Sequence, residues 1–254
     1  MSNLDHLSYS SISSYLLCGE AWRRRYVVKE QAPVSDNLVL GSAFHDAAQS
    51  YIKGAPDLEA AFEQGWSKQL ERGQTIAWED GVPEPTHDTG LRMVKAKPVR
   101  ELLAEIRANF DPEHGLIERR VELHVPGVPI PIIGYIDVIT KDGVPGDFKT
   151  AARMWSDEKA GNQMQTLFYL AALNQEGIDD HQWRFVHYVF SKGQHPSAKT
   201  FVSQRKPSEV FGLFEIIKRV WDAIEKHVYL MQTDSWKCSS RYCGYWTTCQ
   251  ARYT

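Results

Sequence analysis

Ile132-Ile133-Gly134-Tyr135-Ile136-Asp137-Val138-Ile139 and Val144-Pro145-Gly146-Asp147-Phe148-Lys149-Thr150, separated by the turn residues Lys141-Asp142-Gly143, decide how this chain is read. Each run is apolar, of strand length and interrupted by one aspartate, and the turn between them makes the pair a hairpin. Asp147 and Lys149 are two residues apart and project from one strand face, while Phe148 projects from the other. If Thr140 pairs with Val144 across the turn, Asp137 falls opposite Asp147. Two carboxylates facing each other at roughly 5 Å repel unless something positive lies between them. A hard divalent cation with oxygen ligands, Mg²⁺ or Mn²⁺, meets that need and keeps positions open for phosphate and water. Lys149 would stand beside it, where an ammonium can orient an attacking water or stabilise charge on a phosphorane. Taken alone, the pattern also suits solvent-facing strand aspartates with Lys149 as a neutralising neighbour.

Upstream of the hairpin the sequence reads as helical. Ser10 or Ser11 can cap a short helix with Ile12, Tyr15 and Leu16 on its apolar face and Cys18 near its end. A second helix carries Trp22, Arg23, Arg24, Arg25 and Tyr26. Residues 38–52 place Leu40, Phe44, Ala47, Ala48 and Tyr51 on one stripe, and Asp57 caps a helix containing Leu58, Ala61, Phe62, Trp66 and Leu70. Gly73, Gly81, Pro83, Pro85 and Gly90 make 73–90 a loop, and 91–110 is a helix bent at Pro98. A strand over 116–125 precedes the hairpin. A helix over 158–175, a strong strand from Trp183 to Phe190, a weak one from Thr200 to Ser203 and a long helix opened by Pro207 follow it. No repeat or linker interrupts this order, so the expectation is one α/β domain over 1–254.

Composition bounds the function. The 254 residues are 43% hydrophobic with a formal net charge of −3, which is globular and excludes a uniformly basic nucleic-acid coat. Any contact with DNA has to come from local patches. No apolar run approaches the roughly 18 residues a membrane helix needs. The opening Met1-Ser2-Asn3-Leu4-Asp5-His6 has neither a basic nor an apolar leader segment, so a cytoplasmic protein is expected.

In a reducing compartment, Cys18, Cys238, Cys243 and Cys249 point to a metal centre or to scattered thiols rather than disulfides. Three of them crowd the polar and aromatic C-terminus, which is too poor in aliphatic residues to bury them as core thiols. Four thiolates suit tetrahedral zinc or an iron–sulfur cluster, and the spacing leaves both open.

Asp137 followed by Asp147-Phe148-Lys149 resembles the motif of the PD-(D/E)XK nuclease superfamily. Further features resemble its RecB-like branch of iron–sulfur exonucleases, which includes CRISPR adaptation nucleases and phage recombination exonucleases. Gly41-Ser42-Ala43-Phe44-His45 is similar to that branch's Gly-x-x-x-His helix, and Gln165-Thr166-Leu167-Phe168-Tyr169 to its Gln-x-x-x-Tyr helix. Glu118 resembles the upstream acidic position, with Glu122 as its rival. One cysteine after the opening helix and three at the C-terminus resemble the ligands of a [4Fe–4S] cluster. The first C-terminal gap is x₄ where the branch more often has x₂, and Gly19 follows Cys18 where proline is common.

The resemblance implies a restriction-endonuclease-like core: a central mixed sheet flanked by helices, with 1–30 and 232–254 joined at the four cysteines. It implies a metal-dependent DNA exonuclease acting in recombination, repair or end processing. Asp137, Asp147, His45 and Glu118 would serve the metal, Lys149 the water attack, and Gln165 and Tyr169 the substrate or the placement of the lysine. Gathering the cysteines would merge Trp22, Arg23, Arg24, Arg25 and Tyr26 with Lys237, Arg241, Tyr242, Tyr245, Trp246 and Arg252 into one basic–aromatic patch. Such a patch suits single-stranded DNA or frayed ends. Arg92, Lys95, Lys97 and Arg100 form a second basic stretch that reads as a solvated face. A helicase or recombinase partner follows from the family alone. Two other classes stay open, a nuclease-fold DNA-binding module without catalysis and a zinc-stabilised structural protein. Paired carboxylates with a lysine argue against the first, and metal analysis separates the second.

Overall fold

A central sheet is built around the hairpin strand β5 (Ile132–Ile139). The structure, a computed structural model, describes residues 4–111, 113 and 115–249, so Arg252 and the ends of the expected terminal subregion lie outside the described residues. In chain order, β1 (Leu7–Ser8) leads into α1 (Tyr9–Leu17) and α2 (Gly19–Tyr26). Next come β2 (Val34–Ser35), α3 (Asp36–Ile52), α4 (Leu58–Leu70) and β3 (Ile76–Ala77), then α5 (Glu84–Lys95) and α6 (Lys97–Ala108). The strands β4 (Leu116–Leu123), β5 and β6 (Pro145–Ala151) follow, and then α7 (Asp157–Gly161), α8 (Met164–Gln175), β7 (Arg184–Ser191) and β8 (Ala198–Gln204). A 3₁₀ turn at Pro207–Glu209 opens α9 (Val210–Glu225).

Along one edge of β5 runs antiparallel β4, from Leu116 opposite Ile139 to Leu123 opposite Ile132. The other edge is shared. β1 pairs parallel with Ile132 and Ile133, and β6 pairs antiparallel through Val138↔Gly146 and Ile139↔Pro145. Beyond those rungs β5 and β6 part. β6 then runs parallel to β7, and β7 antiparallel to β8. The sheet is therefore mixed, with helices on both faces. One core packs α3–α6 against Val138, Phe148, Val186, Tyr188 and Phe190. The other packs α1, α8 and α9 against Ile132, Ile136, Ile139 and Phe185.

Several local expectations are corrected. The α1 cap is Ser8, in a reciprocal capping box with Ser11, rather than Ser10 or Ser11. The expected 73–90 loop contains β3 and the first half of α5. Pro83 and Pro85 stand at the start of that helix, where a missing N–H is harmless. The helix expected to bend at Pro98 is two helices. Ala96 is extended (φ −65°, ψ 128°), and Pro98 lies in the first turn of α6. The 158–175 helix likewise divides, at Asn162 and Gln163.

α8 can lie against β5 because Gly134 has no side chain. A Cβ there would come 2.3 Å from the fully buried Phe168 ring and 3.0 Å from Tyr169. Gly134→Ala should lower the thermal midpoint, at a cost of about 1–3 kcal/mol for overpacking, as read by denaturant melts.

Candidate active site

Where β5 and β6 part, the backbone is turned. Strand alternation would put Ile136 and Val138 on one face, yet they pack into opposite cores. Glu118, level with Asp137 across β4, has φ +56°, a left-handed conformation costly for a residue with a side chain. The Asp137 carboxylate fills the gap and accepts the Phe148 N–H at 2.6 Å, in place of a ladder partner. Asp137 and Asp147 are both buried, one residue beyond the last rung of the hairpin on their respective strands.

Lys149 Nζ lies 2.6 Å from Asp147 Oδ2 and donates to Gln165 Oε1 at 2.9 Å. Gln165 Nε2 in turn donates to the Tyr169 hydroxyl at 3.0 Å, and that hydroxyl donates to the Tyr135 carbonyl at 2.5 Å. One turn of α8 thus links the ammonium to the backbone of β5. His45, on α3, places Nδ1 3.5 Å from Asp137 Oδ2. Gly41, one turn before it, faces β6, since a Cβ there would touch Thr150 Oγ1 at 3.3 Å.

Burial raises the Asp147 carboxyl to about 6, with Asp137 adding to the rise and Lys149 opposing it. Burial pushes Asp137 the same way, but His45 and the Phe148 N–H outweigh it and hold that carboxyl low. For His45 and Lys149 burial disfavours the cation. The neighbouring carboxylates prevail, and both pKa values end above their ordinary values. Among the described residues, Asp147 Oδ2 is buried against the Lys149 ammonium and has no further hydrogen-bond partner. Paired carboxylates with an imidazole and a further carboxylate nearby form an oxygen-rich donor set that suits a hard divalent cation. Among the described residues, no three or more His, Cys, Asp or Glu side chains are grouped so as to hold a metal ion, the four cysteines included.

His45, Glu118 and Lys149 open onto one cleft of about 580 Å³. Glu118 faces it and accepts a hydrogen bond from Gln49. The rival Glu122 pairs instead with Arg120 and His124. Gln49 was not singled out from the sequence, although its place one turn beyond His45 on the same helix face was readable. Tyr9 also escaped notice. Its ring packs on Phe168, and its hydroxyl feels the charges of Lys149 and Asp147.

Away from the cleft, Cys18, Cys238, Cys243 and Cys249 line one small cavity with Tyr245 and Trp246. Burial, and then the neighbouring thiols, push the Cys238 thiol up, and burial is likewise the leading cause for Cys243. Arg24 donates to Thr248 Oγ1 at 2.6 Å and to its carbonyl at 2.7 Å, and Tyr245 donates to the Glu30 carbonyl at 3.1 Å. The two ends of the described chain thus meet.

The expected basic patch is largely neutralised. Arg23 pairs with Glu20, Arg24 with Glu20 and Glu30, and Arg241 with Glu79. Arg25 lies over the Tyr26 ring. In the second basic stretch Lys95 and Arg100 pair with Glu59 and Lys97 with Glu101, as a solvated face would.

A family model for the PD-(D/E)XK nuclease superfamily matches residues 6–250. No curated protein matches the sequence. Among solved structures, a protein from Eubacterium rectale provisionally described as an exonuclease is 12% identical, with a TM-score of 0.60 over 90% of this chain and 85% of that one. At that identity the likeness is one of fold. A second, the structure of SSO0001, is 15% identical and covers 96% of this chain and 98% of that one. Its TM-score of 0.38 carries no argument.

Proposed function

Because the chain belongs to the PD-(D/E)XK nuclease superfamily, we propose that it is a divalent-metal-dependent deoxyribonuclease of the exonuclease type. The observation that carries this reading is the parting of β5 and β6, which leaves Asp137, Asp147 and Lys149 beside one cleft with His45. Asp137 and Asp147, with His45 and Glu118, would hold Mg²⁺ or Mn²⁺. When bound, such an ion supplies Lewis-acid stabilisation of the phosphodiester and a more acidic water. Lys149 contributes a fixed positive charge toward the scissile phosphate. Gln165, itself tied to Tyr169, accepts a hydrogen bond from that ammonium and so orients it beside Asp147.

Four thiols around one cavity fit a [4Fe–4S] cluster, the group favoured by the sequence resemblance, and they fit zinc as well. In this reading the centre is structural, joining α2 to the C-terminal segment. Among the described residues no helix is long and apolar enough to cross a membrane. A cytoplasmic setting, with reduced thiols and a role in DNA recombination or repair beside a helicase or recombinase, is part of the proposal.

The test is digestion of end-labelled single- and double-stranded DNA with Mg²⁺ or Mn²⁺. Stepwise release of short products from an end supports an exonuclease. Cutting of closed circles contradicts that type, and no cutting of any DNA contradicts the nuclease.

Gln165 acts through Lys149 and serves as a positioning residue. Gln165→Ala should lower kcat by about 10–100-fold with KM little changed, because the amide touches the lysine rather than the substrate. It should also shift the alkaline limb of the pH profile, which a purely structural loss would leave in place.

A further inference from the structure

The cleft lined by His45, Glu118 and Lys149 also carries two cations that the nuclease reading does not use. On the α4 side it is lined by Lys68, in the last turn of that helix, and by Arg72, two residues past its end. Their placement follows from helix packing. Gly65 lets α4 approach α3 so closely that a Cβ would fall 2.7 Å from the Ala43 carbonyl, which fixes the end of α4 beside the turn of α3 carrying His45 and Asp46.

Lys68 donates to Asp46 at 3.0 Å with its side chain 61% exposed, a pair weak enough to yield to a phosphate. Gln69 holds the other Asp46 oxygen at 2.8 Å, so the carboxylate stays satisfied if the lysine leaves. Arg72 is exposed and has no carboxylate partner among the described residues. In contrast, Arg24 at the cysteine end is mostly buried against Glu20 and Glu30, and Arg23 is held by Glu20.

A strand held for cutting beside His45 and Lys149, which line this cleft, has phosphates along it on both sides of the scissile bond. The carboxylates repel those phosphates, while Arg72, without a carboxylate partner among the described residues, and the weakly paired Lys68 in the same cleft attract them. Resting on the nuclease reading, the geometry points to Lys68 and Arg72 as the residues that grip the DNA backbone next to the scissile phosphate, in place of the arginines near the cysteines. Their contacts are to phosphate and carry no base preference.

The experiment uses the full chain and a labelled single-stranded oligonucleotide in Mg²⁺ or Mn²⁺. Arg72→Ala and Lys68→Ala should each raise KM several-fold, and the double variant by at least about tenfold, with kcat within about threefold of wild type. Each lost cation should also flatten the dependence of log Kd on log salt by about one, independently of oligonucleotide sequence. Arg100→Ala, equally exposed but paired with Glu59, should change neither. If wild type cleaves and the double variant keeps its KM and salt slope, these two cations are not the grip. If wild type fails to cleave any DNA, the nuclease reading itself falls, a result separable from the first.

Discussion

Asp147→Asn and Asp137→Ala should each reduce DNA cleavage by at least about 10³-fold while leaving the circular dichroism spectrum and DNA affinity close to wild type. The size of the effect follows from where the two groups stand. Asp147 is buried beside the Lys149 ammonium, and burial still raises its carboxyl to about 6. A carboxylate that one lysine does not fully offset gains from a further cation. Asn keeps the shape and removes the charge. Asp137 also closes the gap left by β6 through the Phe148 N–H, so its removal should cost some stability in addition. Retention of activity within a few-fold in Asp147→Asn would remove the carboxylates from the chemistry.

Cys18→Ser is expected to produce the largest loss of stability. A centre bonded to Cys18 and the C-terminal trio would close a loop of more than two hundred residues. In the chain-entropy picture a cross-link of that length restricts the unfolded ensemble by about 5.5 kcal/mol. The hydrogen bonds of Arg24 and Tyr245 that otherwise join the ends are partly or fully exposed and are worth far less. Anaerobically purified wild type should be brown, with iron and acid-labile sulfide at about four each per chain, and Cys18→Ser should lose the colour and melt well below it. Colourless protein with one zinc would replace the cluster while keeping the tie. An unchanged melt after loss of the metal would contradict the tie.

How much of this was legible in the sequence depends on the range of the interaction. The hairpin was, because alternation and a Lys-Asp-Gly turn are local signals and one register follows from them. So were α3 and α4, whose apolar stripes keep helical spacing. β1 was not, since two residues carry no period, and it is placed by the edge that β6 leaves on β5. The start of α5 was hidden because Pro83 and Pro85 break a helix in its interior but favour its first turn. The residues gathered at the cleft were named by resemblance to a motif. What turns Glu118 toward it is a left-handed backbone that no residue type announces. The ion pairs within the basic patch were only partly readable. Glu20 lies within one turn of Arg23 and Arg24 and was readable, whereas Glu79 meets Arg241 only once the chain is folded.

The central claim is that this cleft cuts DNA with a divalent cation. The most direct measurement is cleavage of an end-labelled DNA strand by wild type and Asp147→Asn side by side, each with Mg²⁺ or Mn²⁺ and each with a chelator. The account predicts products in one lane type alone, wild type with metal. Cleavage that persists in chelator, or that Asp147→Asn retains, would contradict it.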